Sequence, residues 1–310
     1  MRFGLELGMS IGSRGLMARA RAVLLGGLAA LAACGGGSDQ IEPFEPRQII
    51  LLGDESTVLT TDGKRYGING LDANNAIVCS GSPIWSQALV ANFGAALDRC
   101  NPGNVATRGI TRGAPGAKAA DIEAQITAQF NATAPSSKDL FLLMVGLNDI
   151  IERFEAGAEC GDAELRARGQ RVAQQVNRLA AADVRTILVT VHDLGLTPYA
   201  RTRNESARLT CLTADFNARV RVDILQDGRF IGLVLADDLL QAMTRVPSVY
   251  LLSNVTDAAC TMAAPDCTTS TLVSGASAGS HLWADDRHFG PAAHNTIATF
   301  AVARARNNPF

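Results

Sequence analysis

The chain has 310 residues, of which 47% are hydrophobic, 19% charged and 5% aromatic, and its formal net charge is −2 at pH 7. This apolar content is ordinary for a globular protein and excludes a chain that is disordered throughout. Four of the 28 basic and one of the 30 acidic residues precede Cys34, so 24 basic and 29 acidic residues follow it. The acidic balance argues against a nucleic-acid partner, because such binding depends on Lys and Arg neutralising phosphates.

The N-terminal segment is typical of an export signal. Arginines precede an apolar run over residues 22–33, which is shorter than the roughly 20 residues that a membrane-spanning helix needs. The run ends in Leu31-Ala32-Ala33-Cys34, and a Gly-rich stretch follows. This ending resembles the bacterial lipobox, in which the Cys is lipidated; an ordinary cleaved signal with an incidental Cys is the alternative. We therefore predict a signal over 1–34, a linker over 35–47 and one domain over 48–310.

The lipobox resemblance also implies a location. A lipid on Cys34 would anchor the chain to a membrane, which places the protein in the bacterial cell envelope. The residue after Cys34 is Gly35 rather than Asp, so the inner-membrane retention signal of such lipoproteins is absent. We therefore expect an outer-membrane lipoprotein, on either the periplasmic or the surface face.

Besides Cys34, the chain has six cysteines, and an even number in an exported protein indicates disulfide bonds. Several pairings are possible, and we favour the sequential one, in which each cysteine pairs with the next along the chain, because each disulfide then closes one local loop. A zinc site is the alternative. No Cys-x-x-Cys motif occurs, however, and His281 is the only His near a Cys pair. The favoured pairs are Cys79–Cys100, Cys160–Cys211 and Cys260–Cys267.

Short apolar runs alternate with amphipathic stretches along the rest of the chain. The predicted strands, in chain order, are 49–52, a short run near Val105, 140–145, 187–191 and 230–235. The predicted helices, from apolar residues spaced by three and four, are 119–130, 172–179, 205–225 and 291–305. Nearly continuous apolar runs are typical of strands in a parallel sheet that is covered on both faces. The alternation predicts one α/β domain.

Polar motifs lie where α/β sheets place ligands, at the carboxyl ends of parallel strands. Gly53-Asp54-Glu55-Ser56 follows the first predicted strand, and Gly146-Leu147-Asn148-Asp149 follows the strand at 140–145. Gly116 precedes a predicted helix, where its backbone N–H can face a ligand. Asp285 lies three residues before His288, so its carboxylate can bind Nδ1 of the imidazole and leave Nε2 free as a base.

These residue types match the needs of acyl transfer. That reaction requires a nucleophile, a base, a group that orients the base, and donors for the oxyanion. Ser56, His288 and Asp285 are the candidates for the first three roles. The backbone N–H of Gly116 and the side-chain amide of Asn148, together with the nucleophile's own N–H, are the candidate donors.

Taken together and in this order, the four motifs resemble the blocks of the SGNH/GDSL hydrolase family over roughly residues 48–305. Further stretches, such as 193–198 and 288–294, look like the subgroup of autotransporter esterases and related lipases. The resemblance implies a three-layer α/β/α sandwich with a flavodoxin-like parallel sheet. It also implies hydrolysis of a small ester or acylated substrate through an acyl-serine, without a metal or organic cofactor.

One position departs from the family pattern. The family has Ser at the third position of its first block, whereas this chain has Glu55 there and Ser56 one residue later. Ser56 could still reach His288; Glu55 could act as a carboxylate base or nucleophile; or the site could bind without turnover. Asp54 could simply brace the turn. We predict the first of these, an ester hydrolase that uses Ser56, with a non-catalytic envelope binding protein and a carbohydrate O-deacetylase as alternatives.

Overall fold

A six-stranded parallel sheet forms the centre of the protein. The structure, a computed structural model, describes residues 43–307, so Cys34 and the predicted signal lie outside the described residues. The strands are β1 (Gln48–Gly53), β2 (Ala96–Leu97), β3 (Thr107–Thr111), β4 (Asp139–Met144), β5 (Arg185–Val189) and β6 (Ile231–Val234). Their order across the sheet is β2-β3-β1-β4-β5-β6. The five predicted strands are all present, and the one expected near Val105 begins two residues later.

Strand β1 lies in the middle of the sheet, where the winding direction reverses. It pairs with β3 on one side and β4 on the other, so that Leu51 lies beside both Thr111 and Leu142. Without the two-residue edge strand β2, this order is the flavodoxin-like one, and ligands of such sheets bind at the reversal point. The predicted fold class is confirmed, and the motifs after β1 and β4 lie at that crevice.

Helices cover both faces of the sheet. Ile49 and Leu51 of β1 belong to one buried cluster, and Ile50 and Leu52 belong to the other, because successive strand residues point to opposite faces. The helices against the first cluster are α1 (Trp85–Asn92), α7 (Ala236–Arg245) and α8 (Pro291–Arg306). Those against the second are α2 (Ile122–Ala132), α3 (Leu147–Glu155), α4 (Ala163–Ala181), the one-turn helix α5 (Pro198–Thr202) and α6 (Ser206–Asp223).

A second, two-stranded parallel sheet was not predicted from the sequence. It consists of β7 (Asn254–Ala258) and β8 (His281–Trp283), which precede the Asp285–His288 turn. The strands are short, and β7 has no continuous apolar run, so neither carries the pattern by which buried strands are recognised. Helices α1, α3, α5 and α7 and the edge strand β2 were also missing from the predicted elements.

All three sequential disulfide pairs form in the structure. The Cα–Cα distances are 5.7 Å for Cys79–Cys100, 5.7 Å for Cys160–Cys211 and 5.6 Å for Cys260–Cys267, within the usual range for a disulfide. The pairing prediction is therefore confirmed. No helix within residues 43–307 is both long and apolar enough to cross a membrane.

Candidate active site

The turn after β1 depends on a close approach between two strands. Gly53 has a φ of +107°, and a Cβ at this position would lie 1.9 Å from the carbonyl oxygen of Met144, so only glycine fits. The next residue, Asp54, is fully buried, and its Oδ1 accepts a hydrogen bond from the Ser56 N–H at 2.9 Å. Burial and the adjacent Glu55 carboxylate raise the pKa of Asp54 well above its usual range. Asp54 therefore braces the turn.

Glu55 extends from this turn toward both predicted oxyanion donors. Its Oε2 accepts a hydrogen bond from the backbone N–H of Gly116 at 2.8 Å and another from Nδ2 of Asn148 at 3.0 Å. Gly116 has a φ of +78°, which favours glycine, and Asn148 lies in the first turn of α3. The structure thus brings the two donors together, and the group they bind is the carboxylate of Glu55.

Asp285 and His288 form the orienting pair expected from their spacing. Nδ1 of His288 lies 2.8 Å from Oδ2 of Asp285. The same carboxylate accepts hydrogen bonds from the backbone N–H groups of Ala264 at 2.8 Å and Arg287 at 3.0 Å. Asp286, the other nearby carboxylate, instead binds the side chain of Arg287. These contacts hold the imidazole with Nε2 facing away from Asp285.

Nε2 of His288 faces Glu55. It lies 3.7 Å from Oε1 of Glu55, and the two side chains are 11% and 7% exposed. Within residues 43–307, no hydrogen-bond partner contacts this Nε2. The ring of Tyr66 packs against the imidazole at a centroid distance of 5.3 Å. Glu55 therefore has one oxygen on the two N–H donors and the other facing the imidazole.

The imidazolium of His288 stabilises the charge of each carboxylate, and each carboxylate stabilises the charge of the imidazolium. Burial by itself lowers the pKa of His288, but Asp285 and Glu55 outweigh it and raise the pKa to about 9. Burial also raises the pKa of Glu55, but His288 and the Gly116 N–H outweigh it, so the pKa falls below its usual value. The pKa of Asp285 is lowered well below its usual range, because His288 outweighs the effect of burial. At neutral pH the site is an imidazolium between two carboxylates.

The structure does not bring Ser56 to His288. Ser56 is 5% exposed, its N–H donates to Asp54, and its carbonyl oxygen accepts a hydrogen bond from Nε1 of Trp85 at 2.8 Å. Among the described residues, no hydrogen bond joins Ser56 to His288. Consecutive side chains leave a tight turn in different directions, so a shift of one residue moves the hydroxyl away from the imidazole. Glu55 stands where the sequence-based prediction expected Ser56.

A cavity of about 480 Å³ opens above Glu55 and His288. Asn148 and the turn over 285–288 contribute to its lining, and so does the segment 260–264, which belongs to the loop closed by the Cys260–Cys267 disulfide. Sequence reasoning missed the role of this loop and of Tyr66. The predicted Cys260–Cys267 disulfide was the one sequence feature that pointed to the loop. No sequence feature pointed to the contact of Tyr66 with His288. In the part of the chain that the structure describes, no group of three or more His, Cys, Asp or Glu residues is placed to hold a metal ion.

Two buried histidines, His192 and His294, contact the backbone of elements that hold the site. Nε2 of His192 lies 3.2 Å from the carbonyl oxygen of Arg287, and Nδ1 of His294 lies 3.4 Å from the backbone nitrogen of Trp85. Burial lowers the pKa of each histidine to about 3, so both are neutral. Each one contacts the backbone of an element that holds the site, which is a structural role.

Comparison with known proteins yields similarities among solved structures. No protein-family model matches the chain, and no curated protein matches it. The chain is similar to a member of the lipolytic protein G-D-S-L family from Veillonella parvula DSM 2008, at 11% identity and a TM-score of 0.48, covering 83% of this chain and 96% of that one. It is also similar to the acetyl xylan esterase AlAXEase, at 12% identity and a TM-score of 0.46, covering 82% and 96%.

A third similar structure is Est24, a carbohydrate acetylesterase from Sinorhizobium meliloti. Its identity is 13% and its TM-score 0.43, and the match covers 84% of this chain and 96% of that one. The G-D-S-L family is the one that the four sequence motifs resemble.

Proposed function

We propose that the protein hydrolyses carboxylic esters and that Glu55, His288 and Asp285 are the reacting set. The observation that carries this proposal is the position of the Glu55 carboxylate, between the two N–H donors and Nε2 of His288. A nucleophile within reach of an imidazole that a third group orients is the general arrangement of covalent acyl transfer. A cavity beside these atoms offers room for a substrate.

The charge state of the site suits a carboxylate nucleophile. Glu55 is ionised and His288 is protonated at neutral pH, because His288 lowers the pKa of Glu55 and Glu55 raises the pKa of His288. Such an ion pair needs no prior proton transfer before attack. Glu55 can attack the ester carbonyl, and the imidazolium can protonate the leaving alcohol. After that proton transfer His288 is a neutral imidazole, which can accept a proton from water.

A binding protein without turnover is the second candidate, and one observation favours it. Both oxyanion donors already bind Glu55, so they are not available to the carbonyl oxygen of a substrate. A serine hydrolase needs such donors at the position of its developing oxyanion. Under this alternative, the ion pair only shapes the floor of a ligand cavity.

The deciding experiment is hydrolysis by the purified full chain. The substrates are p-nitrophenyl acetate, p-nitrophenyl butyrate and acetylated xylo-oligosaccharides, tested with the variants Glu55→Gln, His288→Ala and Ser56→Ala. We expect Glu55→Gln and His288→Ala to lose activity and the matched neighbour variant Ser56→Ala to keep it. A preference for the acetylated oligosaccharides over p-nitrophenyl butyrate would indicate a carbohydrate O-deacetylase.

Two results would contradict the proposal. Loss of activity in Ser56→Ala, together with a fluorophosphonate adduct on Ser56, would restore the acyl-serine mechanism. Ligand binding to the wild type without turnover of any substrate would establish the binding protein instead. The fluorophosphonate label therefore belongs in the same experiment, with peptide mapping of the adduct.

We also propose that Cys34 is lipidated and that the protein resides in the bacterial cell envelope. The lipobox-like ending of the apolar run supports this proposal. Incorporation of radiolabelled palmitate in a bacterial host, lost in Cys34→Ser, is the expected result. Release of an unlabelled mature protein would indicate an ordinary cleaved signal.

A further inference from the structure

The two oxygens of the Glu55 carboxylate have different surroundings. Oε2 is held by the Gly116 N–H at 2.8 Å and by Nδ2 of Asn148 at 3.0 Å. Oε1 lies 3.7 Å from Nε2 of His288, beside the cavity. The donors are therefore aimed at an oxygen of the enzyme itself, and the other oxygen is the one available to a substrate.

We propose that Glu55 receives the acyl group on Oε1 as a mixed anhydride, and that water then attacks Cδ of Glu55 rather than the acyl carbon. This inference rests on the proposed ester hydrolysis and deepens it. Attack at Cδ places the developing negative charge on Oε2, between Gly116 and Asn148. Donors fixed at the place where charge develops are the strongest single means of lowering such a barrier.

The first half of the reaction transfers the acyl group. Oε1 attacks the carbonyl carbon of the ester and forms a new C–O bond, and the bond from that carbon to the leaving group breaks. Nε2 of His288 gives its proton to the leaving group. Glu55 is then an uncharged anhydride, and His288 is a neutral imidazole that Asp285 still orients.

The second half returns the enzyme to its starting state. His288 takes one proton from water, and the resulting hydroxide bonds to Cδ of Glu55. The bond between Cδ and Oε1 breaks, and the product acid leaves with Oε1. The remaining hydroxyl proton passes to solvent as Glu55 ionises, so one ester and one water yield an alcohol, a carboxylate and a proton.

This route selects a class of substrate. In the first half, Gly116 and Asn148 bind Oε2 and do not contact the substrate carbonyl oxygen. The attacking carboxylate is also a weak base, because the pKa of Glu55 is lowered. Displacement therefore requires a leaving group that is itself weakly basic. We infer that the substrates are activated acyl compounds, aryl esters or thioesters, rather than simple alkyl esters.

A single-turnover experiment in water labelled with oxygen-18 tests the route. Full-length enzyme in excess reacts with p-nitrophenyl acetate, and the reaction is quenched and digested with trypsin in unlabelled water. Cleavage after Arg47 and Lys64 releases a peptide with Glu55 in its interior. We expect one oxygen-18 atom on Glu55, located by fragmentation, and acetate that carries none beyond the background of Glu55→Gln.

The outcomes separate this inference from the proposed function. Labelled acetate with unlabelled Glu55, at a rate above Glu55→Gln, would overturn the attack of water at Cδ of Glu55 and leave ester hydrolysis intact. Hydrolysis no faster than in Glu55→Gln would overturn both. The matched variant Asn148→Ala removes one donor from Oε2, so we expect it to move the label from Glu55 toward acetate. Ethyl acetate hydrolysed as fast as p-nitrophenyl acetate would overturn the substrate class.

Discussion

Oε1 of Glu55 lies 3.7 Å from Nε2 of His288, and both side chains are almost fully buried. The pair joins the turn after β1 to the turn after β8, so two distant parts of the chain meet at the floor of the cavity. Each charge stabilises the other in a poorly solvated place, where electrostatic interactions are stronger than in water. The resting site is therefore charged, which is the state that the proposed attack by the carboxylate requires.

The ion pair predicts the pH dependence of kcat/KM. The reactive form needs an ionised Glu55 and a protonated His288, and the pKa of His288 is about 9. We expect kcat/KM to be level between about pH 6 and about pH 8. It should then fall as the pH rises through about 9, where His288 loses its proton. The measurement is initial-rate hydrolysis of an aryl ester, corrected for hydroxide background. A rise toward pH 9 would instead mean that the neutral imidazole acts as a base, as a serine mechanism requires.

The same shift predicts how stability depends on pH. The pKa of His288 is raised above that of an unfolded His, about 6.5. Its contribution to the free energy of unfolding is therefore fully present below pH 6.5 and is lost as the pH rises through about 9. We expect Tm to fall across this window. In Glu55→Gln the fall should be smaller, because one of the two carboxylates that raise the pKa is gone; an unchanged slope would contradict the coupling.

Gly53 is predicted to be indispensable for the fold. A Cβ there would overlap the Met144 carbonyl oxygen at 1.9 Å, in a backbone conformation with φ of +107°. We expect Gly53→Ala to reduce the free energy of unfolding by more than about 3 kcal/mol. The control is Gly94→Ala, which also has a positive φ, +63°, but no heavy atom within 4 Å of the added Cβ, and which should cost about 1 kcal/mol. Denaturant titration of both variants is the measurement, and equal costs would rule out the steric explanation.

Removal of two different disulfides is predicted to have different effects, one mainly on stability and the other mainly on kcat. The Cys260–Cys267 bond closes a loop of sequence separation 7, whereas Cys160–Cys211 spans 51 residues. Loop-closure entropy predicts losses of about 2 and about 4 kcal/mol on replacing each pair with serine. The shorter loop also carries Ala264, whose N–H holds the Asp285 carboxylate.

We therefore expect the two double variants to rank in opposite order. Removing Cys160–Cys211 should lower Tm more, and removing Cys260–Cys267 should lower kcat more. The measurements are thermal unfolding and ester hydrolysis on the same preparations. A larger loss of kcat in the Cys160–Cys211 variant would show that Ala264 does not position Asp285.

The sequence alone was sufficient to predict the central strands and the order of the functional turns. The runs at 49–52 and 140–145 are buried on both faces and carry the apolar signal of a parallel sheet. The spacing of Asp285 and His288 within one turn also allowed their contact to be predicted. These features are local, so a few neighbouring residues determine them.

Only the tertiary structure decided which residue the donors bind. Glu55 meets Gly116 and Asn148 across sequence separations of 61 and 93 residues. Whether residue 55 or residue 56 reaches them depends on how closely Gly53 approaches Met144 and on the hydrogen bond that holds Ser56 to Trp85. Hydrophobic periodicity specifies which face of an element is buried, but contacts of about 3 Å depend on the packing of several elements at once. The direction of a side chain that leaves a turn is therefore settled by its neighbours in space, which the order of residues does not reveal.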